Sequence, residues 1–165
     1  MTRTCDPSYV SSDEGDYSRG LYDLIELIRP KSVIEIGSYR GVSTEIFLLT
    51  CPRVVAVDPW EYPDTLYKEF MDRVGSYPNL EVCRGKSPEI LGGFHIGEFE
   101  MCYIDGDHSY EAVRTDILKT KLIVETNGYI AGHDFNNPET RRAILEFAGT
   151  PKKVFSDASW FVINE

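Results

Sequence analysis

The chain has 165 residues, with 17 Lys and Arg against 27 Asp and Glu, giving a net charge of −10 at pH 7. One domain of ordinary size uses this length, and roughly 70% of the unfolded surface can then be buried without a disulfide or metal staple. The negative charge repels phosphate backbones, and no basic run is visible, which argues against DNA, RNA and anionic membranes as main partners. Apolar residues make up 42% and charged residues 27%, as in a folded domain and unlike a disordered chain. Cys5, Cys51, Cys83 and Cys102 form no C-x-x-C pair, so the reading is four reduced thiols. The first residues, MTRTCDPSYVSSDEGDYS, lack the apolar core of a secretory signal, and no stretch approaches the ~20 apolar residues of a membrane span. These features lead to the expectation of a cytoplasmic protein.

Residues 1–15 are polar and read as a flexible arm, leaving 16–165 as the domain. Asp16 is placed to cap a helix from Tyr17, striped by Leu21, Leu24, Ile25 and Ile28 and stopped by Pro30. Ser32–Ile36 is a β-branched strand, and Gly37 to Gly41 a glycine-containing turn. Val42, Ile46 and Leu49 mark a second helix, and Val54–Val57 a second strand, apolar throughout as in a strand buried on both faces. A helix over Asp64–Val74, a strand over Asn79–Arg84 and a short helix over Ser87–Leu91 follow. Phe99–Ile104 is the fourth strand, and a helix runs from about His108 through Leu122-Ile123. Asn127-Gly128 turns into a fifth strand, Tyr129–Gly132, and Asn137-Pro138 opens a helix through Phe147. Lys152–Phe155 and Trp160–Ile163 read as a closing hairpin. Alternation of strands and helices predicts an α/β sandwich with a mostly parallel sheet, and the hairpin adds an antiparallel edge.

The first turn, Glu35-Ile36-Gly37-Ser38-Tyr39-Arg40-Gly41-Val42-Ser43, joins a strand to a helix N-terminus, which favours close approach of an anionic ligand group. Its spacing, E-x-G-x-x-x-G, differs from the G-x-G-x-x-G of nicotinamide enzymes. The same glycines would also serve tight strand-to-helix packing alone. The second strand ends in Asp58, where an acid can bind both hydroxyls of a ribose. Trp60 follows, as a wall for a purine or as core filler. Gly85-Lys86-Ser87 after the third strand offers hydrogen bonds to a base edge. This order of parts resembles the class I S-adenosylmethionine-dependent methyltransferases. The resemblance implies a Rossmann-like, seven-stranded sheet of order 3-2-1-4-5-7-6, with S-adenosyl-L-methionine as cofactor. It places Gly37, Gly41 and Ser43 at the methionine part, Asp58 at the ribose and Ser87 near the adenine. Glu35, Ser38, Tyr39, Trp60, Asp105 and His108 complete the expected cofactor set.

Asp105-Gly106-Asp107-His108 follows the fourth strand and His133-Asp134 the fifth, so these acids and histidines should converge at the carboxyl edge of the sheet. Asp107 could equally cap the helix that follows. The strings IDGDHSYE and NGYIAGHDF narrow the resemblance to small-molecule methyltransferases of the macrocin, cephalosporin-hydroxylase-like and catechol types. In metal-dependent relatives, acids after strands four and five bind magnesium, and Asp105 and Asp134 match those positions. The catechol-type Asp-Asn is Asp134-Phe135 here, which removes one oxygen ligand. Magnesium is therefore the secondary expectation, behind a site without metal.

The reaction expected is O-methylation of a small molecule, with His133 as first choice of base, Asp134 or Asp105 orienting it, and His108 as second choice. The alternatives are N-methylation, or a cofactor-binding module without turnover. Little sequence is left for a lid, so Trp60, Tyr62 and Tyr67 would form a partial wall, completed by a second copy or a partner subunit.

Overall fold

Period-two alternation along the strands decides which side chain meets which layer of helices. In the computed structural model, which describes residues 19–61 and 65–165, the strands are β1 (Ser32–Ile36), β2 (Arg53–Asp58), β3 (Leu80–Arg84), β4 (Phe99–Ile104), β5 (Val124–Gly132), β6 (Lys153–Val154) and β7 (Trp160–Ile163). The expected arm, the Asp16 cap, the Tyr17 start, Tyr62 and Asp64 lie outside the described residues. The sheet order is β3-β2-β1-β4-β5-β7-β6, with β7 antiparallel to both β5 and β6. This is the order that the resemblance implies.

Val33, Val54, Ala56, Met101, Tyr103 and Phe161 point to one face of the sheet. There they pack under α1 (Arg19–Ile28), α2 (Val42–Thr50) and α3 (Thr65–Val74). Ile34, Val55, Val57, Cys102, Ile130 and Trp160 point to the other face. They are covered by α5 (Tyr110–Ile123), α6 (Pro138–Ala143) and the π-helical turn 144–148 that continues it. The short α4 (Ser87–Ile90) closes the loop after β3. Apolar burial on both faces explains the unbroken run Val54–Val57, which is 1% exposed or less throughout. Cys51 and Cys102 are buried and Cys83 half-buried, all three as free thiols.

Two local expectations are corrected. The fifth strand begins at Val124, five residues earlier than its apolar pattern suggests. Phe99 faces Val124 but Met101 faces Tyr129, so β5 carries a bulge around Asn127-Gly128. Asn127 has φ 66° and donates its N–H to Asn164, and Gly128 packs so close to Glu100 that a Cβ would come within 2.8 Å of its carbonyl. Asn-Gly here bends a strand that continues through it. The helix after β4 starts at Tyr110, two residues later than expected, with Ser109 at its N-cap position. Asp107 accepts the Ser109 N–H at 2.8 Å and turns the chain into it.

Candidate active site

The parallel strands end along one edge, where an open crevice of about 840 Å³ runs across the termini of β1 to β4 and reaches His133 after β5. That volume lies within the ~300–1,000 Å³ usual for small-ligand sites. The loop after β1 is its centre. Gly37 has φ +89°, and a Cβ on it would come within 2.2 Å of the Asp105 carbonyl. Glycine is therefore required for the loops after β1 and β4 to touch. Gly41, at φ +80°, sits against Phe70 and Val74 of α3 and starts α2 without lining the crevice.

Glu35 is fully buried behind this loop and accepts hydrogen bonds from Ser38 (2.7 Å), Ser43 (2.5 Å) and Thr44. Burial pushes its carboxyl above the usual range, against the lowering effect of the three hydroxyls. The expected direct cofactor contact is corrected accordingly: Glu35 shapes the loop from beneath, while Ser38 and Ser43 reach the crevice wall.

Asp58 lies in the wall where the sequence places it. One carboxylate oxygen accepts the Tyr39 N–H at 2.9 Å and the other the Trp60 N–H at 2.7 Å. Two oxygens offer about four acceptor sites, so capacity remains for a vicinal diol. Trp60 is corrected. Its ring is 1% exposed, lies 4.6 Å from Phe70 and 5.2 Å from Tyr67, and its indole N–H donates to the Tyr39 carbonyl at 2.7 Å. It is core and a brace for the loop; the wall expected of Trp60 and Tyr67 is not formed by these rings. Ser87 lines the crevice and donates its hydroxyl to Asp116 at 2.6 Å.

Beyond β4 stand Asp105, His108, His133 and Asp134. The Asp134 carboxylate lies 3.2 Å from His133 Nδ1 and 3.4 Å from His108 Nδ1. Asp134 occupies the left-handed region at φ 61°, a local strain held by the surrounding loop. The hydrogen bond to Asp134 raises the His133 pKa, and the same bond lowers that of Asp134. Removal from water raises Asp105 to about 8, with Asp134, Glu35 and Asp157 adding to the rise and His133 opposing it. His133 Nε2 is buried and has no hydrogen-bond partner among the described residues. The backbone fixes the histidine: its N–H donates to the Ile104 carbonyl at 3.1 Å, and its carbonyl accepts the Trp160 indole N–H at 3.0 Å.

Asp105, His108 and Asp134 each have a donor atom within 4.8 Å of the others. Two carboxylates and an imidazole make a mixed set, and Asp134 already bonds one histidine ring. Magnesium demands near-octahedral oxygen, so the set does not match it, and no step below uses a metal.

Sequence reasoning missed Asp116, Tyr103 and Leu21, all in the crevice wall. The signal for Asp116 was present. It falls on the buried stripe of α5 with Val113, Ile117 and Thr120, where an acid is out of pattern.

A model of a methyltransferase-domain family matches residues 34–135, more than half of the chain. The chain belongs to this family. S-adenosyl-L-methionine is accordingly its cofactor, and a crevice with a diol-competent acid after β2 and a glycine cradle after β1 suits that group. O-methyltransferase hkm8 of Aspergillus hancockii is 32% identical over 100 residues, covering 58% of this chain and 39% of that protein. The chain thus spans well under half of the curated relative it matches. A methyltransferase from Geobacter sulfurreducens superposes with a TM-score of 0.68 at 15% identity, covering 90% of this chain and 78% of that one. A SAM-dependent methyltransferase from Aquifex aeolicus gives 0.65 at 15% identity over 97% and 98%. At such identities these two establish the fold. Among the described residues no helix is long and apolar enough to cross a membrane.

Proposed function

We propose that the chain transfers a methyl group to a hydroxyl of a small molecule, with His133 as the base. The observation that carries this reading is the His133–Asp134 pair, whose Nε2 is buried without a partner beside the crevice. With Nδ1–H directed to the Asp134 carboxylate, the neutral ring keeps its Nε2 lone pair for an acceptor proton. Bound S-adenosyl-L-methionine supplies an electrophilic methyl carbon on a sulfonium.

In this reading the crevice divides along the sheet edge. Gly37, Ser38, Tyr39 and Ser43 hold the methionine part, with Gly41 and Glu35 supporting them. Asp58 holds the ribose, Ser87 the adenine side, and Asp105 and His108 border the reacting centre. The acceptor hydroxyl lies at His133. Its oxygen gains the methyl group while its proton passes to Nε2, and Asp134 stabilises the imidazolium that results. Holding the groups in line supplies most of the acceleration. A hydroxyl needs such a base, whereas a neutral amine does not, which favours oxygen over nitrogen as the acceptor. The match to an O-methyltransferase supports the same choice. Two carboxylates near His133, Asp134 and Asp157, favour a neutral or cationic acceptor over a phosphorylated one. The net charge of −10 disfavours a nucleic-acid acceptor.

The test is methyl transfer to a panel of phenols, sugars and amines by the wild type and His133→Ala. The variant should lose about 10²–10⁴ in turnover on the hydroxyl acceptor, with S-adenosylhomocysteine binding retained. Normal turnover by the variant would remove His133 from the mechanism, and transfer to amines alone would overturn the oxygen assignment.

A further inference from the structure

The turn of the closing hairpin, residues 155–159, reaches the back of the loop that carries His133. The Ala158 carbonyl accepts the Phe135 N–H at 3.1 Å, directly after Asp134. Trp160, which follows the turn, donates its indole N–H to the His133 carbonyl at 3.0 Å. The loop is therefore fastened to the hairpin on both sides of Asp134. The Ser159 hydroxyl lies 3.3 Å from the hydroxyl of Tyr103, a residue of the crevice wall.

The same turn holds the start of α1. Asp157 is half-buried, and its Oδ1 accepts the Ser159 N–H at 2.9 Å, which fixes the side chain. Its Oδ2 accepts the Leu21 N–H at 3.1 Å, from a residue 136 positions away in the chain. The first turn of α1 has no acid of its own, so a carboxylate that suits a helix N-terminus comes from the hairpin. The approach is close: a Cβ on Gly20 would lie 1.9 Å from Oδ1 and 2.4 Å from Cγ of Asp157. Glycine at position 20 leaves room for the carboxylate in this place. Leu21, the residue so held, is 3% exposed and lines the crevice with Tyr103, Asp105 and His133.

We infer that Asp157 is a positioning residue for His133: by fastening α1 to the hairpin turn, it joins the helix, the crevice wall at Leu21 and the His133–Asp134 loop into one rigid unit. This rests on His133 as the base and deepens that reading by naming what holds the base in place. The loop and the turn each carry a left-handed non-glycine residue, Asp134 at φ 61° and Ala158 at φ 69°. Such backbone persists where its surroundings over-determine it, and the Asp157 bonds are among those restraints. The Asp157 charge also reaches the His133 ring, where it adds to the effect of Asp134.

The experiment is nuclear magnetic resonance of the full chain at pH 7.5, reading amide exchange at Leu21 and Phe135 and the ring signals of His133. In Asp157→Ala, exchange at Leu21 should quicken about fivefold, the fold-change of one ordinary hydrogen bond. Exchange at Phe135 should quicken with it, and the His133 ring signals should move. Gly20→Ala displaces the carboxylate without removing its charge and should reproduce the changes at Phe135 and His133. The double variant should match Asp157→Ala alone at Phe135, since both substitutions break one connection. Asp157→Asn keeps a carbonyl oxygen for the Leu21 N–H and should recover most of the protection. Faster exchange at Leu21 with Phe135 and His133 unmoved would make Asp157 a cap of α1 and nothing more, overturning the inference. Unchanged exchange at Leu21, or effects of the two substitutions that simply add at Phe135, would overturn it as well. The ring is read directly and not through turnover, so these failures stay distinct from normal turnover in His133→Ala, which would remove the base itself.

Discussion

The two edges of the sheet are built from similar polar residues and treat them differently. At the amino edge, polar groups are paired. Arg53 bonds Glu81 at 2.8 Å and Glu98 at 2.9 Å and stacks 4.8 Å from the Phe99 ring. Glu100 accepts the Lys31 N–H at 2.8 Å, and Asn164 donates its side-chain amide to the Lys121 and Val124 carbonyls at the end of α5. At the carboxyl edge, by contrast, Asp105 is raised to about 8, Asp116 to about 6, and His133 Nε2 has no partner among the described residues. Left-handed backbone at non-glycine residues does not separate the edges, since it occurs at Arg29 and Asn127 as well as at Tyr39, Trp60 and Asp134. Unmet hydrogen-bonding capacity and shifted carboxyls at one edge mark where a ligand completes the structure.

Substitutions at the two edges should therefore separate. The largest effect is expected at Gly37. Gly37→Ala places a Cβ 2.2 Å from the Asp105 carbonyl in a left-handed conformation, so the loops after β1 and β4 must part. We expect loss of cofactor binding together with a stability loss of about 1–3 kcal/mol from the backbone alone, read by urea unfolding. A Gly37→Ala variant that binds normally would break the account of this loop.

Next is Asp134→Asn. Because Asp134 raises the His133 pKa, turnover in the wild type should rise with pH through an inflection above the ordinary histidine value of 6.5. In the variant the inflection should move down and the plateau rate should fall. An unmoved inflection would mean that His133 is not the titrating base.

Asp105 gives a stability signature. Between the ordinary carboxyl value of 3.8 and about 8, the folded chain keeps a proton on Asp105 that the unfolded chain has lost. Its contribution therefore lowers stability as pH rises through that window. Asp105→Asn should flatten this slope in denaturation measured from pH 4 to 8; a slope unchanged by the substitution would contradict the assignment.

The smallest effect belongs to the amino edge. Arg53→Ala should cost about 1 kcal/mol, the scale of a partly exposed ion-pair group, with S-adenosylhomocysteine affinity unchanged. A large loss of affinity would mean that the two edges are coupled.

Much of this architecture was legible in the sequence because parallel strands buried on both faces leave continuous β-branched runs, as in Val54–Val57, and because the closing hairpin distinguishes this sheet from a dinucleotide fold. The positions of Asp58, Asp105, His133 and Asp134 were legible for the same reason: residues that follow parallel strands share one edge. What could not be read were matters of side-chain direction. Glu35 ends in the core because strand alternation and three hydroxyls turn it inward. Trp60 packs against Phe70 because a left-handed backbone at that residue aims the ring away from the crevice. Asp116 breaks the apolar stripe of α5, which the sequence shows, but only the meeting of α5 with the loop after β3 gives it a partner.

In the proposed function, the carboxyl-edge crevice of this chain holds S-adenosyl-L-methionine with its reacting end at His133. A crystal structure of the full chain with S-adenosylhomocysteine tests it most directly. The ribose hydroxyls are expected on the Asp58 carboxylate, the adenine at Ser87 and the thioether on the His133 side of Gly37. The ligand in reversed orientation, or bound away from Asp58 and Gly37, would contradict it.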